Sequence, residues 1–189
     1  MERPATPALR AKLIGAGDDL TDAIGEALVT DGVQLFERQA DEDSVGLDIL
    51  VFVAPDGRAD LIAATTASDF AGYVGESLRA AFLALQSGVS SIRANAGGGA
   101  VVFVAPPAGP RRAFDALTQG LRLMTKAAAL ELGPEKIRVN IVLPGSGDSP
   151  MGRPCAPADI ARAVAFAASG RSRFMTGADL VIDGGALAR

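Results

Sequence analysis

The sequence predicts an α/β protein in which helices cover a parallel β-sheet. Apolar, β-rich runs alternate along the chain with segments of helical periodicity, which is the pattern of strands joined by crossover helices. The run DILVFVA at residues 48–54 is apolar throughout, as expected for a strand buried on both faces. A length of 189 residues with 49% hydrophobic residues suffices for one domain with a substantial core. Because the chain shows no internal repeat, low-complexity tract or linker, we predict a single domain over residues 1–189.

The first half of the chain is predicted to contain three strands and two helices. Short apolar runs predict strands at 11–15, 33–36 and 48–54. Helical spacing of apolar residues predicts a helix at about 20–30 and a long helix from about 69 to at least 86.

The second half continues the alternation. GGGAVVFVAPP, which starts at Gly97, predicts a turn followed by a strand. Helical periodicity predicts helices at about 112–132 and 158–168, and apolar runs predict strands at 138–143 and 179–182. The sheet should therefore have about six strands.

Composition excludes several functional classes. No apolar run approaches the roughly 20 residues of a membrane helix, and MERPATPALR lacks the apolar stretch of a signal peptide, so we expect a soluble cytoplasmic protein. Cys155 is the only cysteine and histidine is absent, which excludes an internal disulfide, a usual zinc site and Ser-His or Cys-His catalysis. The net charge of −4 and the sparse aromatic residues argue against nucleic acid as a partner.

The C-terminal part of the chain carries the motifs of a known family. I-R-V-N ends at Asn140, PGSGDSPM spans 144–151 with Ser149 in the place of a threonine, and a T-G turn at 176–177 precedes VIDGG at 181–185. These spaced motifs resemble the short-chain dehydrogenase/reductase (SDR) family. The resemblance covers nearly the whole chain. It implies a doubly wound, Rossmann-like parallel sheet with helices on both faces and a history of NAD(P)-dependent oxidoreductase chemistry.

The catalytic groups of that family are missing at the matching positions. The family carries Y-x-x-x-K on its active-site helix, and counting back from the L-E-L triplet at 130–132 places Phe114 at the tyrosine position and Thr118 at the lysine position. Likewise, Ser77 stands where the family has a catalytic asparagine, and Pro106 where it has a catalytic serine. A phenyl ring has no proton to transfer, and general acid/base catalysis is worth about 10²–10⁴-fold. We therefore predict that this chain has no catalytic residues.

The loop that holds the dinucleotide in the family is altered as well. Its motif, T-G-x-x-x-G-I-G, lets the backbone approach the pyrophosphate at a helix N-terminus. Here Gly15 is kept, but the next two glycine positions hold Asp19 and Thr21, and Asp18 adds another carboxylate. Carboxylates repel phosphate, whereas Asp favours the N-cap and first turn of a helix. We predict a capped helix and no cofactor bound by this chain.

Two segments near the expected sites are short. Residues 37–47 are too few for the helix, strand and helix that the family places after its second strand, so the family's third strand is predicted to be lost. Residues 152–156 leave no room for the substrate lid of active members. Pro144, Gly145 and Ser149 keep the family's nicotinamide corner, and we expect them to serve only local hydrogen bonding.

Two long helices keep surfaces suited to subunit contacts. The helix at 112–132 has two apolar stripes, one formed by Ala113, Leu117, Leu121, Met124 and Ala128 and the other by Ala116, Leu123, Ala127 and Leu130. A helix that is apolar on two sides needs cover on two sides. In the family the second side joins a four-helix bundle between subunits, and the helix at about 69–88, with Val74, Leu78, Ala81, Phe82 and Leu85, is a suitable mate. The C-terminus would lie at the family's second subunit contact. The alternative is that all these stripes belong to the chain's own core.

Three functions remain compatible with the sequence. The resemblance favours a non-catalytic subunit, a pseudoenzyme, that assembles with an active SDR chain into a hetero-oligomer such as a tetramer, with NAD(P) bound by the active partner. Heteromeric SDRs of this kind include ones that act on acyl-CoA-type hydroxy or keto substrates. The second function is an SDR oxidoreductase with altered chemistry, for which Tyr73 is the only tyrosine. The third is a non-enzymatic, homo-oligomeric binding protein.

Overall fold

Helices cover both faces of a parallel sheet in the computed structural model, which describes residues 8–36, 46–56, 61–107, 115–145, 147 and 149–188. The described strands are β1 (Arg10–Ile14), β2 (Gln34–Phe36), β3 (Ile49–Val53), β4 (Gly99–Val104), β5 (Ile137–Pro144) and β6 (Asp179–Ile182). Their order across the sheet is β2-β1-β3-β4-β5-β6, and every neighbouring pair is parallel. The predicted Rossmann-like α/β architecture is thereby confirmed.

Five α-helices are described between and after these strands. They are α1 (Asp19–Thr30), α2 (Ala67–Phe70), α3 (Glu76–Ile92), α4 (Asp115–Leu132) and α5 (Pro157–Ala168). A π-helical turn, Ala71–Gly75, joins α2 to α3, so the predicted long helix is one interrupted rod that extends to Ile92. The first residues of the helix predicted at 112–132 lie outside the described residues. None of the described helices has both the length and the apolar character needed to span a bilayer.

Alternate residues of the central strands build two core layers. On one face of the sheet, Leu50, Phe52 and Phe103 pack with buried residues of α3 and α4. On the other face, Val51 and Val102 pack with buried residues of α1 and α5. All five residues of β3 are buried, because this strand is covered on both sides, and the prediction from DILVFVA is confirmed.

The chain reverses its direction across the sheet between β1 and β3. From β1 the chain crosses to β2 at one edge, and then returns to β3 on the other side of β1. In open α/β sheets, ligands bind outside the carboxyl ends of the strands at such a switch point. The predicted loss of a strand beyond β2 depends on residues 37–45, which lie outside the described residues, and it stays a prediction.

The prediction that the apolar residues of the helix near 69–88 face a partner is partly wrong. Val74, Ala81 and Leu85 are buried in the chain's own core, against the sheet. Leu78 is half-buried against that core. Only Phe82, 51% exposed, points away from it. Helical spacing alone does not show which apolar residues of this helix face the chain's own core, and three of the five do.

The two stripes predicted on α4 have different environments. Leu117 and Leu121 of the first stripe are fully buried in the core. In the second stripe, Leu123 is 69% exposed and Leu130 83% exposed, and Ala127 between them is exposed as well. The alternative that both stripes are internal is therefore wrong for the second one.

Candidate functional site

A cleft of about 570 Å³ lies outside the carboxyl ends of the strands, at the switch point of the sheet. Asp18 and Asp19 border it from the start of α1, Asp56 from the segment after β3, and Gly145 and Cys155 from the segment between β5 and α5. In the described lining there are three carboxylates and no Lys or Arg side chain. The described lining of the cleft is therefore negatively charged.

The amino end of α1 is capped by the chain itself. Asp18 is the N-cap residue, and its Oδ1 accepts hydrogen bonds from the backbone N of Thr21 at 2.8 Å and from Thr21 Oγ1 at 2.7 Å. These bonds lower the pKa of Asp18 below its usual value, with the backbone bond from Thr21 as the largest cause. The carboxylate is therefore charged at neutral pH and occupies a helix terminus that would otherwise attract an anion.

The space beside the retained glycine is also occupied. A Cβ atom added to Gly15 would lie 2.4 Å from Thr21 Oγ1, so the threonine side chain packs directly against the glycine backbone. In a dinucleotide-binding loop, the first glycine serves the tight turn and the third serves close packing of the helix on the strand. Here the Thr21 side chain stands at the third position and fills the space between the loop and the helix.

A dinucleotide does not fit this arrangement. A phosphate near the start of α1 would meet the charged Asp18 and the exposed Asp19, and each such contact costs about 1 kcal/mol at 4 Å even in bulk water. The backbone N of Thr21, which could donate to a phosphate, already donates to Asp18. The geometry agrees with the prediction of a self-capped helix.

The positions that match the family's catalytic groups hold other residue types in this chain. Ser77 is buried in α3, Pro106 is buried after β4, and Thr118 is half-buried on α4. None of the three is among the described residues that line the cleft. Phe114 lies outside the described residues, so its environment stays a prediction.

The residues of the former nicotinamide corner make local contacts. Pro144 ends β5 opposite Ile182, and the backbone N of Gly145 donates to Ile182 O at 2.9 Å. Ser149 Oγ donates to the carbonyl of Arg153 at 2.7 Å. The expected local role of Ser149 fits this bond, and Gly145 alone of the three lines the cleft.

The only tyrosine is unsuited to replace the missing acid. Tyr73 Oη donates to the carbonyl of Pro55 at 2.9 Å. Burial, reinforced by the negative charge of Asp56, raises the pKa of Tyr73 to about 12. A phenol with that pKa is far from the neutral range in which a general acid or base works best.

The short link before α5 is held by one ion pair. Arg153 contacts both carboxylate oxygens of Asp159, with Nη2 at 3.0 Å from Oδ1, and Asp159 Oδ2 also accepts from the backbone N of Ala156 at 3.0 Å. Beside this link, burial raises the pKa of the Cys155 thiol, which keeps it protonated and weakly nucleophilic. The part of the link that borders the cleft, Pro154 and Cys155, therefore brings no activated nucleophile to it.

Sequence reasoning missed the contribution of Asp56. This residue lies three positions after the end of β3, and residues at the carboxyl ends of neighbouring parallel strands converge. Its position shortly after a predicted strand indicates this edge of the sheet, but its place in the cleft depends on the order of the strands. Within the described residues, no three His, Cys, Asp or Glu side chains are grouped so as to hold a metal ion.

Comparisons with protein families agree with this fold. The family model described as short chain dehydrogenase matches residues 13–159, and the model described as enoyl-(acyl carrier protein) reductase matches residues 146–186. The short-chain dehydrogenase/reductase eriH of Hericium erinaceus is 31% identical over 94% of this chain and 77% of its own length. The trans-4-hydroxycyclohexanecarboxylate dehydrogenase of Sinomonas cyclohexanicum is 37% identical over 55% of this chain. That match spans only 46% of the relative's own length.

Solved structures share the same fold. An SDR-family oxidoreductase from Burkholderia thailandensis superposes with a TM-score of 0.85 at 22% identity, over 97% of this chain and 94% of the other. A 3-ketoacyl-(acyl-carrier-protein) reductase from Brucella melitensis, complexed with NADH, superposes with a TM-score of 0.81 at 23% identity, over 94% and 97%. The family match, the sequence relatives and the parallel sheet together show that this chain belongs to the short-chain dehydrogenase/reductase family of oxidoreductases.

Proposed function

We propose that this chain is a non-catalytic SDR subunit that assembles with a catalytically competent SDR chain into a hetero-oligomeric NAD(P)-dependent dehydrogenase. The observation that carries the proposal is the outer face of α4, where Leu123 and Leu130 are 69% and 83% exposed although Leu117 and Leu121 of the same helix are fully buried. Soluble monomers rarely leave large apolar side chains in a row on one helix face.

The exposed apolar surface extends onto α3. Phe82 and Leu83 of that helix are 51% and 46% exposed. The two helices are in close contact, because a Cβ atom added to Gly120 of α4 would lie 2.8 Å from Leu78 of α3. We call this combined surface the α3–α4 face and define it by Phe82, Leu83, Leu123, Ala127 and Leu130.

The energetic gain from covering this face is large enough for a stable contact. Complete burial of a Leu or Phe side chain contributes about 1.5–3 kcal/mol. Leu123, Leu130 and Phe82 together could then offset much of the entropy lost on association, which is about 4–15 kcal/mol. The partner that best fits a pair of adjacent helices is another pair of the same kind, and SDR-fold chains possess the corresponding two helices.

The altered cleft supports a non-catalytic role. Three carboxylates are in its described lining, the amino end of α1 is capped by Asp18, and Ser77, Pro106 and Thr118 carry neither the phenol nor the ammonium group of the family's active site. Chemistry with a nicotinamide cofactor would therefore take place in the partner chain. We further propose that the partner acts on an acyl-CoA-type hydroxy or keto substrate.

The experiment is co-expression with an SDR chain encoded beside this one, with purification through a tag on this chain. We expect the SDR chain to co-purify, and the complex, but not the isolated chain, to bind NADH and turn over substrate. The double variant Leu123→Asp, Leu130→Asp should lose the partner. Since both side chains are exposed, the variant should keep its own fold, as checked by circular dichroism.

A matched control is Val29→Asp, which places a charge on an apolar side chain of α1 that is 56% exposed and remote from the α3–α4 face. This variant should retain the partner. Turnover by the isolated chain would contradict the proposal and favour an enzyme with altered chemistry. A stable homo-oligomer that ignores the neighbouring SDR chain would contradict it in favour of a self-assembling binding protein.

A further inference from the structure

A second and larger concavity opens at the opposite edge of the sheet. It measures about 940 Å³ and lies where β1, β3, β4 and β5 begin, far from the carboxyl ends that border the cleft. We call it the amino-edge groove. Its described lining contains four cationic residues, Arg10, Lys136, Arg138 and Arg173, and one acidic residue, Asp48. Three positive charges are therefore in excess in the described lining, in a chain whose net charge is −4.

One of the four cations is neutralised within the groove. Arg10 Nε lies 3.4 Å from Asp48 Oδ2, and the backbone N of Arg10 donates to the same oxygen at 2.8 Å. Asn95 ties the pair together, since its Oδ1 accepts from Arg10 and its Nδ2 donates to Asp48 Oδ1. Asp48 therefore already has a partner. The described lining of the groove contains no other carboxylate that could pair with Lys136, Arg138 or Arg173.

Arg138 contributes a fixed charge that has only neutral partners. Its two terminal nitrogens donate to the carbonyls of Ala167, Ala168 and Ser169 at the end of α5 and to Ser172 Oγ. Burial lowers the pKa of Arg138, as expected for a charge without a counter-ion. An anion in the groove would supply the opposite charge.

Lys136 and Arg173 supply donors at the mouth of the groove. Both are exposed, and neither side chain takes part in an ion pair or hydrogen bond in the described part of the chain. The neighbouring acid, Glu135, is not available to Lys136 because it pairs with Arg93 through two contacts of 2.7 Å.

The backbone beneath Lys136 is held in a fixed position. Lys136 has a left-handed conformation with φ 62°, and it packs against Gly98, which has φ 76°. A Cβ atom on Gly98 would lie 2.3 Å from the Lys136 carbonyl oxygen, so only glycine allows this approach. Strained residues of this kind persist where the surrounding structure determines them, and they cluster at ligand sites.

We propose that the amino-edge groove binds a small anion that carries two or more phosphate groups. The Lys136 ammonium and the Arg173 guanidinium are able to donate to phosphate oxygens. Arg138 adds its positive charge, while its terminal nitrogens stay bonded to the end of α5. The volume lies within the range of small-molecule sites. No aromatic side chain is present in the described lining, so the groove offers no platform for a nucleobase and the phosphate groups themselves are recognised.

The test is isothermal titration calorimetry of the isolated full chain with inorganic tripolyphosphate at low salt, with orthophosphate and ADP as comparisons. We expect saturable binding of tripolyphosphate that is tighter than that of orthophosphate, and no gain from the nucleoside of ADP. The double variant Lys136→Gln, Arg173→Gln should weaken binding by about tenfold or more, which corresponds to about 1.4 kcal/mol. Because the test uses the isolated chain, its failure would leave the proposed assembly with a partner untouched.

The control variant Arg79→Gln, Arg162→Gln removes the same number of positive charges from exposed sites on α3 and α5, outside the groove. It should bind tripolyphosphate within about twofold of the unmodified chain. Absence of saturable binding up to about 5 mM would overturn the proposal. So would an equal loss in the control variant, or tighter binding of an acidic peptide such as hexaglutamate than of tripolyphosphate.

Discussion

Removal of the Asp18 side chain tests whether Asp18 caps the amino end of α1 in place of a bound phosphate. The variant Asp18→Ala deletes the acceptor of two hydrogen bonds, from the backbone N of Thr21 at 2.8 Å and from Thr21 Oγ1 at 2.7 Å. Loss of an N-cap side chain costs about 0.5–2 kcal/mol in the free energy of unfolding. We expect about 1 kcal/mol, because Asp18 is half-exposed and water can replace part of the lost bonding.

The pH dependence of this difference identifies its cause. The pKa of Asp18 is lower in the folded chain than in the unfolded chain, so its contribution is fully present above the unfolded value of about 3.9 and is lost as pH falls through the folded value. The stability difference between Asp18→Ala and the unmodified chain should therefore be complete at pH 7 and shrink below about pH 4.

Urea unfolding followed by far-UV circular dichroism, at pH 7 and again at acidic pH, measures both effects. The matched control is Asp22→Ala, which removes an exposed acid from the first turn of the same helix without removing the cap and should cost about 0.3 kcal/mol. Equal stability of Asp18→Ala and the unmodified chain at pH 7 would refute the capping argument. Micromolar binding of NADH by the unmodified chain would refute the conclusion that the site is closed.

Three further predictions concern the fold that carries the two sites. Leu121→Ala should lower the free energy of unfolding by about 2–5 kcal/mol in urea titrations, because Leu121 is fully buried beneath the sheet. Gly98→Ala should cost more than about 1 kcal/mol in the same assay, since its φ of 76° and the Lys136 carbonyl leave no space for a methyl group. The hydrogen bond from Arg153 lowers the pKa of Asp159 to about 2, so stability should fall as pH drops from about 4 towards 2. In Asp159→Asn, the melting temperature from thermal unfolding should not show this part of the fall. The prediction is contradicted if the melting temperature of the variant drops as steeply between about pH 4 and 2 as that of the unmodified chain.

The sequence predicted most of the fold because its signals are local. Strand 48–54 and the helix near 158–168 are specified by continuous apolar character and by helical spacing, and both are found within a residue or so of the predicted bounds. The π-helical turn at Ala71–Gly75 was missed, because an inserted residue leaves the helical spacing of neighbouring apolar residues almost unchanged.

The candidate site was only partly predictable. Asp18 could be assigned as a cap from its place before a helical segment, and the structure places it there. Asp56 could not be assigned to the same cleft without the order of the strands. Asp18 and Asp56 are distant in sequence, and they border one cleft because β1 and β3 are neighbours in the sheet.

Residue types alone determined that the positions matching the family's tyrosine, lysine and serine hold Phe114, Thr118 and Pro106, none of which can carry the family's phenol or ammonium group in any conformation. Tertiary structure decided which apolar residues are free to meet another molecule. Leu121 and Leu123 belong to the same helix and have the same side chain, yet one is buried and the other is 69% exposed. It also brought Lys136, Arg138 and Arg173 to one groove, because the positions of side chains that are distant in sequence depend on how the helices pack on the sheet.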